Sequence, residues 1–330
     1  MPLLRDESNS ARIKLRSDRY RNGNNFIATK KSSNEVEKSL SSSTRLNVGQ
    51  RSEAMRAGLL STCANPDCRS GWLHFWRKRS APIFEGGWSC SASCTLASID
   101  AAIFREMAGK SAVSATHRHR VPLGLVMLEQ GWITAQQLRL ALDAQRVSGQ
   151  GLLGKWLVRE HGVPEQKVTR ALSLQWSCPV LQLEHHDPEA MSSVLPRLFV
   201  EAFGVLPLRI AAGRILYLGF ESRPDPVVTL AAERMLGIQV EAGLVRSSLF
   251  KPTHDRLMNA KFPATGLIEV SANSQITRIL TKAVERTRPV ESRLVRVHDC
   301  LWLRMWKRLP VSQPSQSADV EDMICSLPSN

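Results

Sequence analysis

No stretch of this 330-residue chain reaches the roughly 18 consecutive apolar residues that a membrane-spanning helix needs. The nearest approach, Val205 to Phe220, is interrupted by Arg209 and Arg214. The opening residues, MPLLRDESNS, hold no apolar core of the kind a secretory leader carries. Both absences point to a cytoplasmic protein, where seven cysteines are not expected to form a disulfide framework. Machinery for nucleotide hydrolysis is missing too. The stretch GQGLLGKW places Gly149, Gly154 and Lys155 as a phosphate-binding loop would, but Trp156 stands where a Ser or Thr must hold magnesium. An amphipathic helical pattern, not a strand, precedes it. No spacing reads as a Ser/His/Asp or Cys/His catalytic set. The expectation is a protein that is not an enzyme. His185-His186-Asp187 offers metal-ligand chemistry, but it precedes Pro188 as a helix-entry turn does.

What is present is organised in blocks. Residues 1–120 hold 20 Lys+Arg against 10 Asp+Glu, while residues 121–260 hold 14 against 13. The basic excess therefore lies in front of a near-neutral globular piece, where it suits nucleic acid, an anionic surface, or only solvent. Residues 1–55 are rich in Ser, Asn, Arg and Lys and read as a disordered basic tail, because they bury too little to offset their ordering entropy. Residues 60–110 form a cysteine module, 120–176 a tandem helical repeat, 177–260 a small α/β subdomain, and 261–330 a short helical or irregular extension with a polar tail. Within 177–260, strand-like runs at Val180–Leu183, Gly204–Leu208, Ile215–Phe220 and Ile238–Ala242 alternate with helical patterns at Pro188–Phe203, Pro226–Leu236 and Leu249–Met258. Beyond them, Ser274–Thr287 reads as a helix, and the run from Leu294 to Trp306 fits neither period. The fold class is thus α+β: a helix-turn-helix repeat bundle, then a small α/β subdomain, with a separate small zinc finger.

In the cysteine module, Cys63 and Cys68 are followed after an interval by Cys90 and Cys94. Two close pairs on separated turns supply the four soft ligands of a tetrahedral zinc site. Leu96, Ile99, Ile103 and Met107 then recur at helical spacing, so the second pair opens a helix whose dipole favours thiolate. Knuckle, hairpin and helix resemble the plan of a treble-clef zinc finger, with zinc in a structural role. Between the pairs, Trp72, Phe75 and Trp76 beside Arg77, Lys78 and Arg79 either stack on nucleic acid or form the small core and balance the zinc–thiolate charge. His74, His117 and His119 could substitute as ligands, but with four cysteines present they are expected to be exposed.

The repeat shows when Pro122–Gln145 (PLGLVMLEQGWITAQQLRLALDAQ) is laid on Leu152–Gln175 (LLGKWLVREHGVPEQKVTRALSLQ). Leu-Gly, an apolar pair, a branched residue, two further apolar positions and a final Gln coincide. Each copy reads as a helix, a turn and a second helix: Thr134 with Gln137 is a capping-box pattern, and Pro164 suits a first helical turn. Two such hairpins packed about a pseudo-twofold axis bring together two helix starts, each with a glycine that lets a phosphate approach. The same Leu-Gly also serves plain tight packing.

This tandem pattern, with FGVLPLRIAAGRILYLGF behind it, resembles the N-terminal domain of type II secretion and type IV pilus assembly ATPases, whose MshEN form binds cyclic di-GMP. The resemblance covers about residues 120–258 and leaves out the ATPase half. It implies contact positions at Leu123, Gly124, Met127, Leu128, Gly131, Ile133, Leu138, Leu142 and Gln145 in the first copy. In the second they fall on Leu153, Gly154, Leu157, Val158, Val163, Val168, Leu172 and Gln175. The Arg that opens the binding pattern is Pro122 in one copy and Leu152 in the other; Arg120 lies two residues earlier as a substitute, and the second copy has Lys155 nearby. Position ten is Gly131 in the first copy and His161 in the second, whose glycine is Gly162. Three functions remain open at this point: a cyclic-di-GMP-responsive adaptor with a zinc finger that contacts a partner, a ligand-free interaction subunit of a secretion or pilus machine, and a zinc-finger regulator that binds nucleic acid through its basic front.

Overall fold

Glu85 and Gly86 both take left-handed φ (49° and 77°), the geometry of a tight hairpin turn, and they join β1 (Ile83–Phe84) to β2 (Gly87–Trp88). The hairpin leads into α1 (Ala92–Ala108). The tandem repeat supplies α2 (Leu123–Glu129), α3 (Ala135–Ser148), α4 (Leu153–His161) and α5 (Glu165–Trp176). A computed structural model of the chain describes residues 63–69, 82–108, 120–183, 186–269, 273–308 and 316–327. All of them fall in the unit Ala57–Asn330. The expected tail 1–55, the aromatic-basic segment Trp72–Arg79, and His74, His117, His119 and His185 lie outside the described residues.

The four repeat helices cross-pack. The first helix of each copy lies against the second helix of the other, α2 on α5 and α3 on α4. Their shared core holds Met127, Ile133 and Ala141 from the first copy and their equivalents Leu157, Val163 and Ala171 from the second, with Val168 in addition. The capping box at Thr134 forms, with Gln137 N–H donating to Thr134 Oγ1 and the Gln137 side chain accepting from Thr134 N–H. Pro164 stands one place outside α5 as its N-cap. Gly131 and Gly162 both take left-handed φ (63° and 60°), so the one-residue slip between the copies is absorbed by a longer α4.

Next come α6 (Pro188–Ser192), α7 (Arg197–Phe203), β3 (Val205–Ala211), β4 (Ile215–Phe220), α8 (Pro226–Leu236), β5 (Gln239–Leu244) and α9 (Ser247–Met258). The single helix expected over Pro188–Phe203 is two, because Pro196 drives the preceding residue out of helical geometry and caps the second segment itself. The run Val180–Leu183 contributes only a bridge between Val180 and Leu244. β3 pairs antiparallel with β4, and β4 pairs parallel with β5 through the α8 crossover.

Residues 261–330 correct the sequence reading. Where a helical or irregular extension is expected, the described residues hold β6 (Ala264–Glu269), α10 (Asn273–Thr287), β7 (Glu291–Val297), β8 (Cys300–Trp306) and β9 (Val320–Ser326). They form a four-stranded sheet in the order β6-β9-β8-β7, with β6 parallel to β9. Every residue of β8 is buried. Leu301, Leu303 and Met305 face one core, with α10 and α1, while Cys300, Trp302 and Trp306 face the other, shared with the β3–β5 layer.

The cysteine module is not separate either. Ile99, Ala102 and Ile103 of α1 pack with Ile276, Leu280 and Val284 of α10. Thr95 donates to Glu285 at 2.6 Å and Thr277 to Asp100 at 2.9 Å. Glu106 is 5% exposed and receives both guanidinium arms of Arg234, at 2.9 and 2.5 Å, together with the Arg296 N–H at 3.1 Å. Burial would raise the Glu106 carboxyl, but these donors outweigh it and hold it below its ordinary range. A small segment that lacks a core of its own has borrowed one.

Candidate functional site

The final Gln of each repeat does the same thing from opposite sides. Gln145 Nε2 donates to the Gly151 carbonyl and Gln175 Nε2 donates to the Val121 carbonyl, both at 2.8 Å. Each carbonyl belongs to the residue just before the N-cap of the other copy's first helix. The bundle is therefore pseudo-twofold in its hydrogen bonds as well as its packing.

The two glycines face inward. A Cβ on Gly124 would sit 2.6 Å from Leu138 Cδ1, and one on Gly154 would sit 2.7 Å from Val168 Cγ1. These positions are glycine because the following helix of the same copy leaves no room. Gly124→Val is expected to destabilise the chain by about 1–3 kcal/mol through overpacking. Urea denaturation measures it, and an unchanged midpoint would show that the bundle yields there at no cost. A bulky residue at Gly124 or Gly154 therefore tests packing before it tests any ligand.

An open cleft of about 1010 Å³ lies over the second copy. Of the positions implied by the family resemblance, Leu123 from the first copy lines it, with Leu153, Gly154, Val158, Val168, Leu172 and Gln175 from the second. Met127, Ile133, Leu157 and Val163 are instead core residues, at most 6% exposed. Gly124, Leu128, Gly131, Leu138, Leu142 and Gln145 are not on the cleft wall.

The opposite wall comes from residues that the repeat pattern does not contain. Glu221, Ser222 and Arg223 follow β4, and Ser247 and Ser248 open α9 after β5. The carboxyl ends of parallel strands are where α/β sheets present loops to ligands, and that rule was the available signal. Trp156 and Trp176 line the cleft as well. Arg120, the substitute for the missing Arg, stacks its guanidinium 3.5 Å above the Trp176 ring, and Arg223 lies 5.3 Å from the same ring. Arg159 covers Trp156 at 4.5 Å, while Trp156 Nε1 donates to the Gln150 carbonyl.

Carboxylates already occupy some of the anion-binding groups of this cleft. Glu165 Oε1 accepts the Ser248 N–H at 2.7 Å, at the start of α9. Glu221 Oε1 takes the Ser247 hydroxyl and, at 3.2 Å, the Lys155 ammonium. Burial would raise the Glu221 carboxyl, yet the Ser247 and Lys155 contacts prevail and keep it below its ordinary range. An incoming phosphate meets Arg223 and the α4 start directly, but must compete with Glu221 for Lys155.

The four cysteines of the first module meet. Their Sγ atoms lie within 4.8 Å of one another, the one group of this kind among the described residues. Cys68 to Cys90 is 3.5 Å and Cys90 to Cys94 is 3.6 Å, near the roughly 3.8 Å edge of a tetrahedron built on 2.3 Å zinc–sulfur bonds. Backbone and amide N–H groups already point at sulfur, from Cys90 to Cys63 and from Asn65 to Cys94, each at 3.5 Å. Burial pushes the Cys90 thiol up to about 12, helped by the adjacent thiols. At Cys94 burial acts the same way, but hydrogen bonds with Ser91, Asn65 and its fellow cysteines bring it down to about 7. The donor set fits zinc in number, softness and spacing. By contrast, Asp187 caps α6 and His186 bonds the Pro207 carbonyl, so the described part of His185-His186-Asp187 acts as a helix entry.

No protein family and no curated protein matches the chain by sequence. Among solved structures it is similar to that of MshE with cdg, at 25% identity and a TM-score of 0.35, over 42% of this chain and 99% of that one. It is also similar to the N-terminal domain of XpsE, at 20% identity and a TM-score of 0.31, over 41% and 92% of the two chains. No helix among the described residues is long and apolar enough to cross a membrane. At such TM-scores the case for any ligand must be carried by the residues of the cleft themselves.

Proposed function

We propose that the chain is a non-catalytic cytoplasmic adaptor whose repeat bundle takes cyclic di-GMP in the cleft over its second copy. The four-cysteine cluster holds a structural zinc and sets α1 in place as part of a partner-contacting module. The observation that carries the reading is the pseudo-twofold Leu-Gly…Gln arrangement, with its reciprocal 2.8 Å bonds, opening onto a cleft walled by Trp156 and Trp176 and lined by Lys155, Arg159 and Arg223. Tryptophan faces stack on purines, guanidinium and ammonium groups take phosphate, and the α4 helix start adds partial positive charge. Zinc, when bound to Cys63, Cys68, Cys90 and Cys94, supplies folding energy and no reaction chemistry.

Titration calorimetry of the full chain tests the reading. Binding of cyclic di-GMP is expected with a dissociation constant below about 100 µM, a free energy near −5.5 kcal/mol. Absence of heat and of any thermal shift at that concentration would sink it.

A second reading rests on the carboxylates. Glu165 and Glu221 already satisfy the α9 start and Lys155, and Gly124 and Gly154 pack against Leu138 and Val168 of the helices that follow them. Each guanidinium missing at Pro122 and Leu152 forgoes a charged hydrogen bond of about 1.5–3 kcal/mol. On this reading the bundle binds no nucleotide and docks a protein component of a secretion or pilus machine. The nucleic-acid alternative rests on the basic front of the chain, outside the described residues.

A further inference from the structure

We infer that Glu221 is the base-selecting residue of the cleft and makes it choose guanine over adenine. The inference rests on the proposed entry of cyclic di-GMP and concerns how that ligand is told from its adenine counterpart.

Glu221 stands at the carboxyl end of β4 on the wall opposite the repeat, with about a third of its side chain exposed (35%). One of its oxygens, Oε1, is fixed by two donors from different elements, the Ser247 hydroxyl at the α9 start and the Lys155 ammonium on α4. This fixes the plane and direction of the carboxylate. With Oε1 so engaged, Oε2 is the acceptor that Glu221 offers to a ligand in the cleft that Trp156 and Trp176 also line.

An anionic acceptor at that point cannot face phosphate, which it repels, and it gains from a group that offers only donors. The Watson–Crick edge of guanine presents two adjacent donors, N1–H and the N2 amino group, beside its O6 acceptor. The same edge of adenine presents one donor, the N6 amino group, with the N1 acceptor next to it, which the carboxylate repels. Bases stacked on the tryptophan walls therefore differ at Glu221 by a second donor gained against an acceptor repelled. Of the basic groups beside it, Arg223 is left for the phosphates, while Arg159 is already paired with Glu160 at 2.7 Å.

The fixed Oε1 makes the inference testable by a nearly isosteric change. Lys155 has only donors, so in Glu221→Gln the amide oxygen must turn toward Lys155. The amide NH2 then points into the cleft, opposes the donor edge of guanine and suits adenine N1. The experiment titrates the full-length chain with cyclic di-GMP and with cyclic di-AMP. Wild type is expected to prefer cyclic di-GMP by about tenfold or more, the effect of one charged hydrogen bond. Glu221→Gln is expected to lose that preference or reverse it, whereas Glu221→Asp, which keeps the carboxylate, should retain it at lower affinity. Equal loss of selectivity in both variants, or an unchanged preference in Glu221→Gln, overturns the inference and leaves the cleft reading standing. If wild type binds neither dinucleotide, the cleft reading itself falls and the inference falls with it. Melting temperatures of both variants confirm that the comparison is made on folded protein.

Discussion

Cys94→Ser is expected to lower the melting temperature of the full chain by about 10 °C or more, and a strong zinc chelator should do the same to the wild type. Cys94 sits in the first turn of α1 and its sulfur lies 3.6 Å from that of Cys90. Without the fourth ligand little else holds this corner among the described residues, whose core there beyond α1 is Trp88 and the cysteines themselves. The damage should not stay local. Ile99 and Ile103 (0% and 3% exposed) form one core with Ile276, Leu280 and Leu301, so a frayed α1 uncovers α10 and one face of the β6–β9 sheet. Scanning calorimetry with parallel metal analysis measures the effect. A chain that carries no zinc after purification, and melts identically as Cys94→Ser, would remove the metal from the account.

Arg304→Met is expected to cost about 3–5 kcal/mol, the usual penalty for stripping one partner from a buried ion pair. Arg304 and Asp322 are 1% and 0% exposed, and Arg304 Nε and Nη2 each donate to a separate Asp322 oxygen at 2.8 Å. Arg304 Nη1 also donates to the Val194 carbonyl, at 2.8 Å, which ties β8 to the turn after α6. Replacing it leaves an ionised Asp322 in the interior with only the Trp302 N–H to oppose it. The double variant Arg304→Met/Asp322→Leu should recover part of the loss, because the stranded charge goes and what is orphaned is the Trp302 donor and the Val194 carbonyl, at about 1–3 kcal/mol each. Urea titrations of the wild type, the single variant and the double variant give both numbers. A single-variant cost below about 1 kcal/mol would mean that water reaches Asp322.

These two sites mark opposite ends of what the sequence discloses. The cysteine spacing, the Leu-Gly…Gln repeat, the Thr134–Gln137 capping box and the helix Pro226–Leu236 behind its Asp225 cap are local patterns, and each is realised where its spacing puts it. Local chemistry decides such features, so a window of a few residues contains the answer. Arg304 and Asp322 are different. In sequence they are charges to be given to solvent, and only the antiparallel pairing of β8 with β9 makes them partners. The run Leu294–Trp306 fitted neither period because β8 is covered on both faces, which removes the alternation that identifies a half-buried strand. β6 (ATGLIE) is exposed along most of its length and has no apolar face to reveal it. Within the cleft the repeat positions were visible, but Glu221, Arg223 and Ser247 were not, since strand topology places them there and no motif does. Several implied contact positions, Met127 and Leu157 among them, are apolar because the bundle core requires it.

The pairing of β6 with β9 also sets an order of events during synthesis. β6 leaves the ribosome before α10, β7 and β8, yet its partner β9 is made after all of them. Until then β6 has no neighbour, and β8 offers an open hydrogen-bonding edge beside some of the most apolar sequence in the chain. The repeat bundle closes through nearby contacts and needs no such wait. The nascent protein is therefore expected to fold its repeat bundle early and to hold the β6–β9 sheet open, and prone to aggregate, until residues 320–326 arrive.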